Sequence, residues 1–143
     1  MAQIDEYLHN CLYFTASRLA RLVAEMAGEE FTATGLSPSH AFMMMLINAN
    51  PGITPATLGE SLHLAPSTIT RLADKLEAKG YIERRSEGKF SYIHPTEKGA
   101  LIQGEIEKSW EALYERYCAI LGTGKADTLN RLIDRACETI GKK

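Results

Sequence analysis

Residues 54–80 read TPATLGESLHLAPSTITRLADKLEAKG, and the fold of the chain turns on how this stretch is parsed. Thr54 offers a side-chain oxygen that can cap a helix, and Pro55 suits the first turn, where its missing N–H costs nothing. Leu58 and Leu62 lie one helical turn apart and mark the buried face of a short helix. His63-Leu64 carries a turn, and Pro66 restarts a second helix at its first position. In that second helix Ile69, Leu72, Ala73 and Leu76 recur at helical spacing, which makes an apolar stripe along one side. Ser67, Thr68, Thr70, Arg71, Asp74 and Lys75 are left off the stripe, and Gly80 is placed to stop the helix. The reading is a helix-turn-helix whose second helix is held by one face. Its other face offers hydroxyls, an arginine and a lysine, a set suited to the major groove of DNA.

Beyond Gly80 the period changes from helical to alternating. Residues 81–85 (YIERR) and 90–94 (FSYIH) are β-type runs joined by Ser86-Glu87-Gly88-Lys89, with a glycine fit for a turn. A hairpin directly after the second helix makes the unit a winged helix. Arg84, Arg85 and Lys89 put positive charge on or beside the wing. Such charges can be ordinary solvated surface. Beside a reading helix they are also candidates for phosphate contacts, which fix the register of a DNA binder.

Upstream, Ile4, Leu8, Leu12, Leu19, Leu22, Val23 and Met26 predict one amphipathic helix over 4–27, ended by Gly28 and followed by a linker over 29–35. Ser37 and Pro38 form a helix start, and the helix they open carries Met43-Met44-Met45. Methionines usually fill gaps in a core, and a run this adaptable can also line a pocket for a small apolar ligand. Downstream, Thr96 caps a helix expected to run unbroken from 97 to 121, on the order of 35 Å at ~1.5 Å per residue. Gly122-Thr123-Gly124 breaks it before a last helix over 126–140.

The apolar stripes of these terminal helices exceed what one small central unit can cover. Packing against the same helices of a second copy about a two-fold axis solves that, and it presents two reading helices to a palindromic DNA site. The expected fold class is therefore mainly α with a small β-hairpin. A winged helix-turn-helix DNA-binding domain occupies 35–96, flanked by N- and C-terminal dimerisation helices in 1–34 and 97–143.

Composition narrows the function. The 143 residues are 45% hydrophobic with a formal net charge of −2, which supports a packed core and argues against indiscriminate coating of nucleic acid. Between residues 60 and 99 seven cations (Arg71, Lys75, Lys79, Arg84, Arg85, Lys89, Lys98) face six carboxylates, so any DNA contact rests on a few placed charges. No signal peptide is apparent, and no apolar run approaches the roughly 18 residues of a membrane span. The chain is expected to be cytoplasmic. Cys11, Cys118 and Cys137 show no C-x-x-C spacing, and His9, His40, His63 and His94 are scattered, so no metal site is expected. There is no glycine-rich phosphate loop, H-E-x-x-H or nucleophile elbow, so neither an enzyme nor a bound cofactor is expected. The competing reading is a winged-helix module that binds protein and not DNA.

Four segments in order carry a resemblance. Gly35-Leu36-Ser37-Pro38, Leu64-Ala65-Pro66-Ser67-Thr68-Ile69-Thr70-Arg71, Leu76-Glu77-Ala78-Lys79-Gly80-Tyr81-Ile82 and Thr96-Glu97-Lys98-Gly99 together resemble the MarR (multiple antibiotic resistance regulator) family of bacterial transcription factors. The resemblance implies a homodimeric winged-helix regulator, usually a repressor, released from double-stranded DNA by a small apolar or aromatic effector or by thiol oxidation. It places DNA reading on Pro66, Ser67, Thr68, Thr70 and Arg71, with Lys75 further along the helix. It implies a ligand pocket between the dimerisation helices and the DNA-binding unit, here involving His9, Tyr13, His40 and the methionine run at Met44. Some relatives sense peroxide through a cysteine of the first helix near tyrosines, which makes Cys11, between Tyr7 and Tyr13, the redox candidate. The chain departs from the family at the wing. An Asp-x-Arg sequence commonly sends its arginine into the minor groove, and Glu87-Gly88-Lys89 stands here instead.

Overall fold

The computed structural model describes residues 2–142. Its order is α1 (Ala2–His9), α2 (Leu12–Glu30), a 3-10 turn (Phe31–Thr34), α3 (Pro38–Ala49), α4 (Pro55–Leu62), α5 (Pro66–Ala78), β1 (Ile82–Glu87), β2 (Phe90–Pro95), α6 (Glu97–Leu101), α7 (Gln103–Leu121) and α8 (Thr123–Gly141). The mainly helical chain with one hairpin agrees with the expected class.

Local chemistry sets most boundaries. Ser37, Thr54 and Thr96 cap α3, α4 and α6, each accepting the backbone N–H three residues on. At the end of α5, Gly80 adopts φ +81°, its N–H bonds the Glu77 carbonyl, and the Tyr81 N–H reaches back to the Leu76 carbonyl. This is a Schellman stop, and its left-handed residue favours glycine. The hairpin is antiparallel, pairing Ile82 with Pro95 through Glu87 with Phe90. The strands are longer than expected, so the turn shrinks to Gly88-Lys89, with Gly88 at φ +62°. Ile53 bridges Ile93 on the inner edge of the sheet.

The core lies under α3, which touches the 3-10 turn, α4, α5, β2, α6 and α7. Phe31, Met43, Met44, Ile47, Leu58, Ile69, Leu76, Ile93 and Ile106 are fully buried there. Two methionines of the run are thus gap-fillers at its centre.

Four expectations about the terminal helices need correction. The first helix is not continuous over 4–27, because Cys11 at φ −113°, ψ 119° breaks it into α1 and α2. Nor does Gly28 end it; α2 runs on to Glu30, since a glycine inside a helix costs only ~1 kcal/mol. The 97–121 helix is broken at Ile102 into α6 and α7. At that break the Asn48 side chain donates to the Gly99 carbonyl (3.0 Å) and to Gln103 Oε1 (2.9 Å). A side chain drawing on the backbone ladder is an established cause of a kink. The last helix also starts earlier than expected, with only Gly122, at φ +90°, left between α7 and α8.

The terminal stripes are uncovered in the single chain. Tyr7, Leu12 and Tyr13 are 67%, 68% and 82% exposed, and Trp110, Ile120, Leu132, Ile133 and Ile140 are also open to solvent. An apolar cleft of about 440 Å³ between α2 and α8 is lined by Leu12, Ala16, Leu19, Val23, Leu129 and Ile133.

Gly99 is the most tightly enclosed glycine among the described residues. A Cβ there would lie 2.1 Å from the Tyr81 carbonyl oxygen and 2.9 Å from Met44 Cε. Gly99→Ala is therefore expected to destabilise the chain by about 3 kcal/mol through overpacking, read as a lower urea midpoint.

Candidate nucleic-acid interface

The presentation of α5 follows from its four buried residues. Ile69, Leu72, Ala73 and Leu76 are at most 7% exposed and face the core. Upstream, His63 takes a left-handed conformation (φ +56°) and the Leu64 N–H bonds the Gly59 carbonyl at 3.1 Å. Gly59 lets this turn close, since a Cβ there would stand 3.2 Å from the Leu64 carbonyl oxygen. With the turn fixed, Pro66, Ser67, Thr70, Arg71 and Lys75 are exposed on one side of α5, and Thr68 is half-buried at its start. The Thr70 hydroxyl donates to the Pro66 carbonyl at 3.1 Å. The open N-terminal turn adds the positive end of the helix dipole to the same face.

The wing charges differ among themselves. Arg85 and Lys89 are exposed, and among the described residues Arg85 pairs only with Glu83 on its own strand. Arg84 is half-buried and faces α5, where its guanidinium meets both Asp74 and Glu77 at 2.7 Å. The hydrogen bond from Arg84 holds the Glu77 carboxyl below its ordinary value.

The residues expected to form a ligand pocket are not brought together within one chain. His9 packs edge-on against Phe14 with ring centres 5.6 Å apart, Tyr13 is exposed, and Met44 is in the core. His40 lies on α3 with its Nδ1 on the Ser37 hydroxyl. Its Nε2 is buried without a partner among the described residues. Burial first, then the charges of Lys75, Lys79 and Arg71, holds the imidazole below its ordinary value. Cys11 is exposed at the α1–α2 break, Cys118 is buried and Cys137 is exposed. No cluster of metal-ligating side chains occurs among the described residues. Sequence reading missed the clasp of Arg84 on α5 and the approach of His40 to the cations of α5. Both join residues far apart in the chain, and no local pattern carries them.

Residues 34–89, from the end of the 3-10 turn to the turn of the hairpin, match the model of the MarR family. That match takes in α3, α4, α5 and β1. It is 25% identical over 125 residues to an uncharacterized HTH-type transcriptional regulator, YybA, of Bacillus subtilis, covering 85% of this chain and 83% of the relative. A second B. subtilis regulator described in the same terms, YwoH, is 27% identical over 108 residues, covering 75% and 74%. Among solved structures, the repressor CouR bound to a 23-mer DNA duplex superposes with a TM-score of 0.82 at 21% identity, covering 94% of this chain and 95% of that one. A mutant MarR from E. coli complexed with operator DNA gives 0.78 at 19%, covering 87% and 92%. At these identities the likeness is one of fold, the fold of a MarR-family transcriptional regulator.

The state of His40 makes the stability of this regulator fold depend on pH. A depressed imidazole disfavours protonation of the folded chain, so stability is full above about pH 6.5 and falls as the pH drops below it. The urea midpoint is expected to be lower at about pH 5.5 than at about pH 7.5, and His40→Gln should reduce that difference.

Proposed function

We propose that the chain is a homodimeric, sequence-specific DNA-binding regulator of the cytoplasm, a repressor that leaves its operator on a small-molecule or thiol-oxidation signal. The observation that carries this reading is the one-sided burial of α5. The helix is anchored by four apolar side chains and exposes Ser67, Thr70, Arg71 and Lys75 together. In this reading Pro66, Ser67, Thr68, Thr70 and Arg71 address base edges or the phosphates beside them, and Lys75, Arg85 and Lys89 meet the backbone. Lys89, at the tip of the short wing, takes the place of the family's minor-groove arginine.

The dimer is supported by the uncovered stripes of α1, α2 and α8, whose Leu12, Leu132 and Ile133 are apolar and open to solvent. Burial of an apolar side chain of this size contributes ~1.5–3 kcal/mol, so several in register outweigh the cost of association. CouR has been solved with p-coumaroyl-CoA as well as with DNA. An apolar or aromatic effector here would occupy the junction of the end helices and the winged unit, and Cys11 is the exposed thiol at the start of α2.

The test is binding of the purified chain to a palindromic duplex from its own upstream region, with affinity falling steeply as salt rises. Arg71→Ala is expected to cost about 1–3 kcal/mol of that binding. Unchanged affinity in Arg71→Ala would remove α5 from the interface. Leu132→Arg with Ile133→Asp is expected to yield a monomer by sedimentation and to lose at least about tenfold in operator affinity, since only a dimer engages both half-sites. A wild-type chain that sediments as a monomer would sink the dimeric reading.

A further inference from the structure

We infer that Arg84 is a positioning residue that draws the wing onto the reading helix by clasping Asp74 and Glu77, and that it does not itself meet a phosphate. The inference rests on the DNA-binding reading above and refines it.

Three bonds define the clasp. One guanidinium nitrogen of Arg84 donates to Asp74 Oδ1 and to Glu77 Oε1, both at 2.7 Å. The Arg84 backbone N–H donates to Glu77 Oε2 at 3.2 Å. Asp74 and Glu77 are three apart on α5, so their carboxylates lie on one flank, and β1 runs past that flank with Arg84 between them. Both partners belong to the exposed half of the helix, which also carries Arg71 and Lys75. Left uncovered, two carboxylates on that flank would repel a polyanion. Arg84 neutralises them.

The hairpin needs such a tie. Its inner strand, β2, is fixed to the body by Ile53, whose carbonyl accepts the Ile93 N–H at 2.9 Å, and by Gly52, whose N–H donates to the Ile93 carbonyl at 2.8 Å. Its outer strand, β1, has no further strand beside it. A two-stranded ribbon held along one edge can pivot about that edge. β1 is anchored at its root by the buried Ile82, and the clasp on α5 adds a non-collinear tie two residues further along the strand, which fixes the angle between the ribbon and the helix. Arg85 does no comparable work, because its partner Glu83 is on the same strand. With Arg84 engaged by two carboxylates, Arg85 and Lys89 are the wing cations left for phosphate.

The two roles for Arg84 predict opposite signs. If Arg84 were a phosphate contact, Asp74→Asn with Glu77→Gln would free it and remove two repulsive charges, and DNA binding would tighten. In the clasp reading the same near-isosteric change loosens the wing, and operator affinity of the full-length chain falls about fivefold. Adding Arg84→Gln to that background then costs little more, and the slope of log affinity against log salt stays within about half a unit of wild type, where a lost phosphate contact lowers it by ~0.9. Tighter binding by the carboxylate variant, or a lost unit of slope in Arg84→Gln, overturns the inference.

Hydrogen exchange of the free chain supplies a readout independent of DNA. Amides of β1 are expected to exchange at least about tenfold faster in Arg84→Gln, with protection in α7 unchanged. Equal protection of β1 in the two chains overturns the clasp. Failure of the wild-type chain to bind any duplex would instead overturn the DNA-binding reading.

Discussion

The packing of one face of α5 is the constraint on which the functional reading depends. Ile69, Leu72, Ala73 and Leu76 enter a core built around α3, and that contact decides which side of the helix is left for a partner. A helix with a full apolar circumference would be buried, and one with none would not stay in place. The turn at His63-Leu64, closed by Gly59, and the stop at Gly80 then set where the exposed face begins and ends. Reading chemistry and core packing are therefore two sides of the same 13 residues.

The same body also connects the winged unit to the terminal helices. Gly99 presses against the Tyr81 carbonyl, Thr96 donates to the Gly80 carbonyl at 2.6 Å, and Asn48 holds both sides of the α6–α7 break. These contacts join the end of α5, the root of the wing and the base of α7 within a few residues. At the far end of α2, Arg116 of α7 pairs with Glu29 and Glu30 at 3.1 and 3.0 Å. Tyr114, stacked on Trp110 and donating to Asp127 at 2.8 Å, fastens α8 to the same helix.

What could be read in the sequence was local. Ser37, Thr54 and Thr96 declare helix starts through a side-chain oxygen that accepts the backbone N–H three residues on, and Gly80 declares a stop through its conformational freedom. The stripe of α5 needs only periodicity, and its residues were all recoverable. The breaks at Cys11 and Ile102 were not, because helical propensity runs straight through both positions. The second forms where Asn48 bonds the carbonyl of Gly99, 51 residues further along the chain. The partners of Arg84 lie seven and ten residues back on another element, so the cation read as free surface charge until strand and helix were set side by side. His40 is a similar case, since it bonds Ser37 of its own helix start but feels the charges of Arg71 and Lys75 on α5.

The net charge of −2 is compatible with the proposed interface only because of where the charges sit. Cations and carboxylates are nearly balanced over the winged unit, so a uniform distribution would give no usable field. Pairing changes that balance locally. Asp74 and Glu77, the two carboxylates on the exposed half of α5, are both taken up by Arg84, while Arg71 and Lys75 form no ion pair among the described residues. What remains along the exposed face of α5 is a small positive surface whose strength depends on an internal arrangement more than on composition. A field of a few charges fixed in geometry gives little binding to arbitrary DNA and more discrimination per contact, which is what a regulator with two half-sites needs.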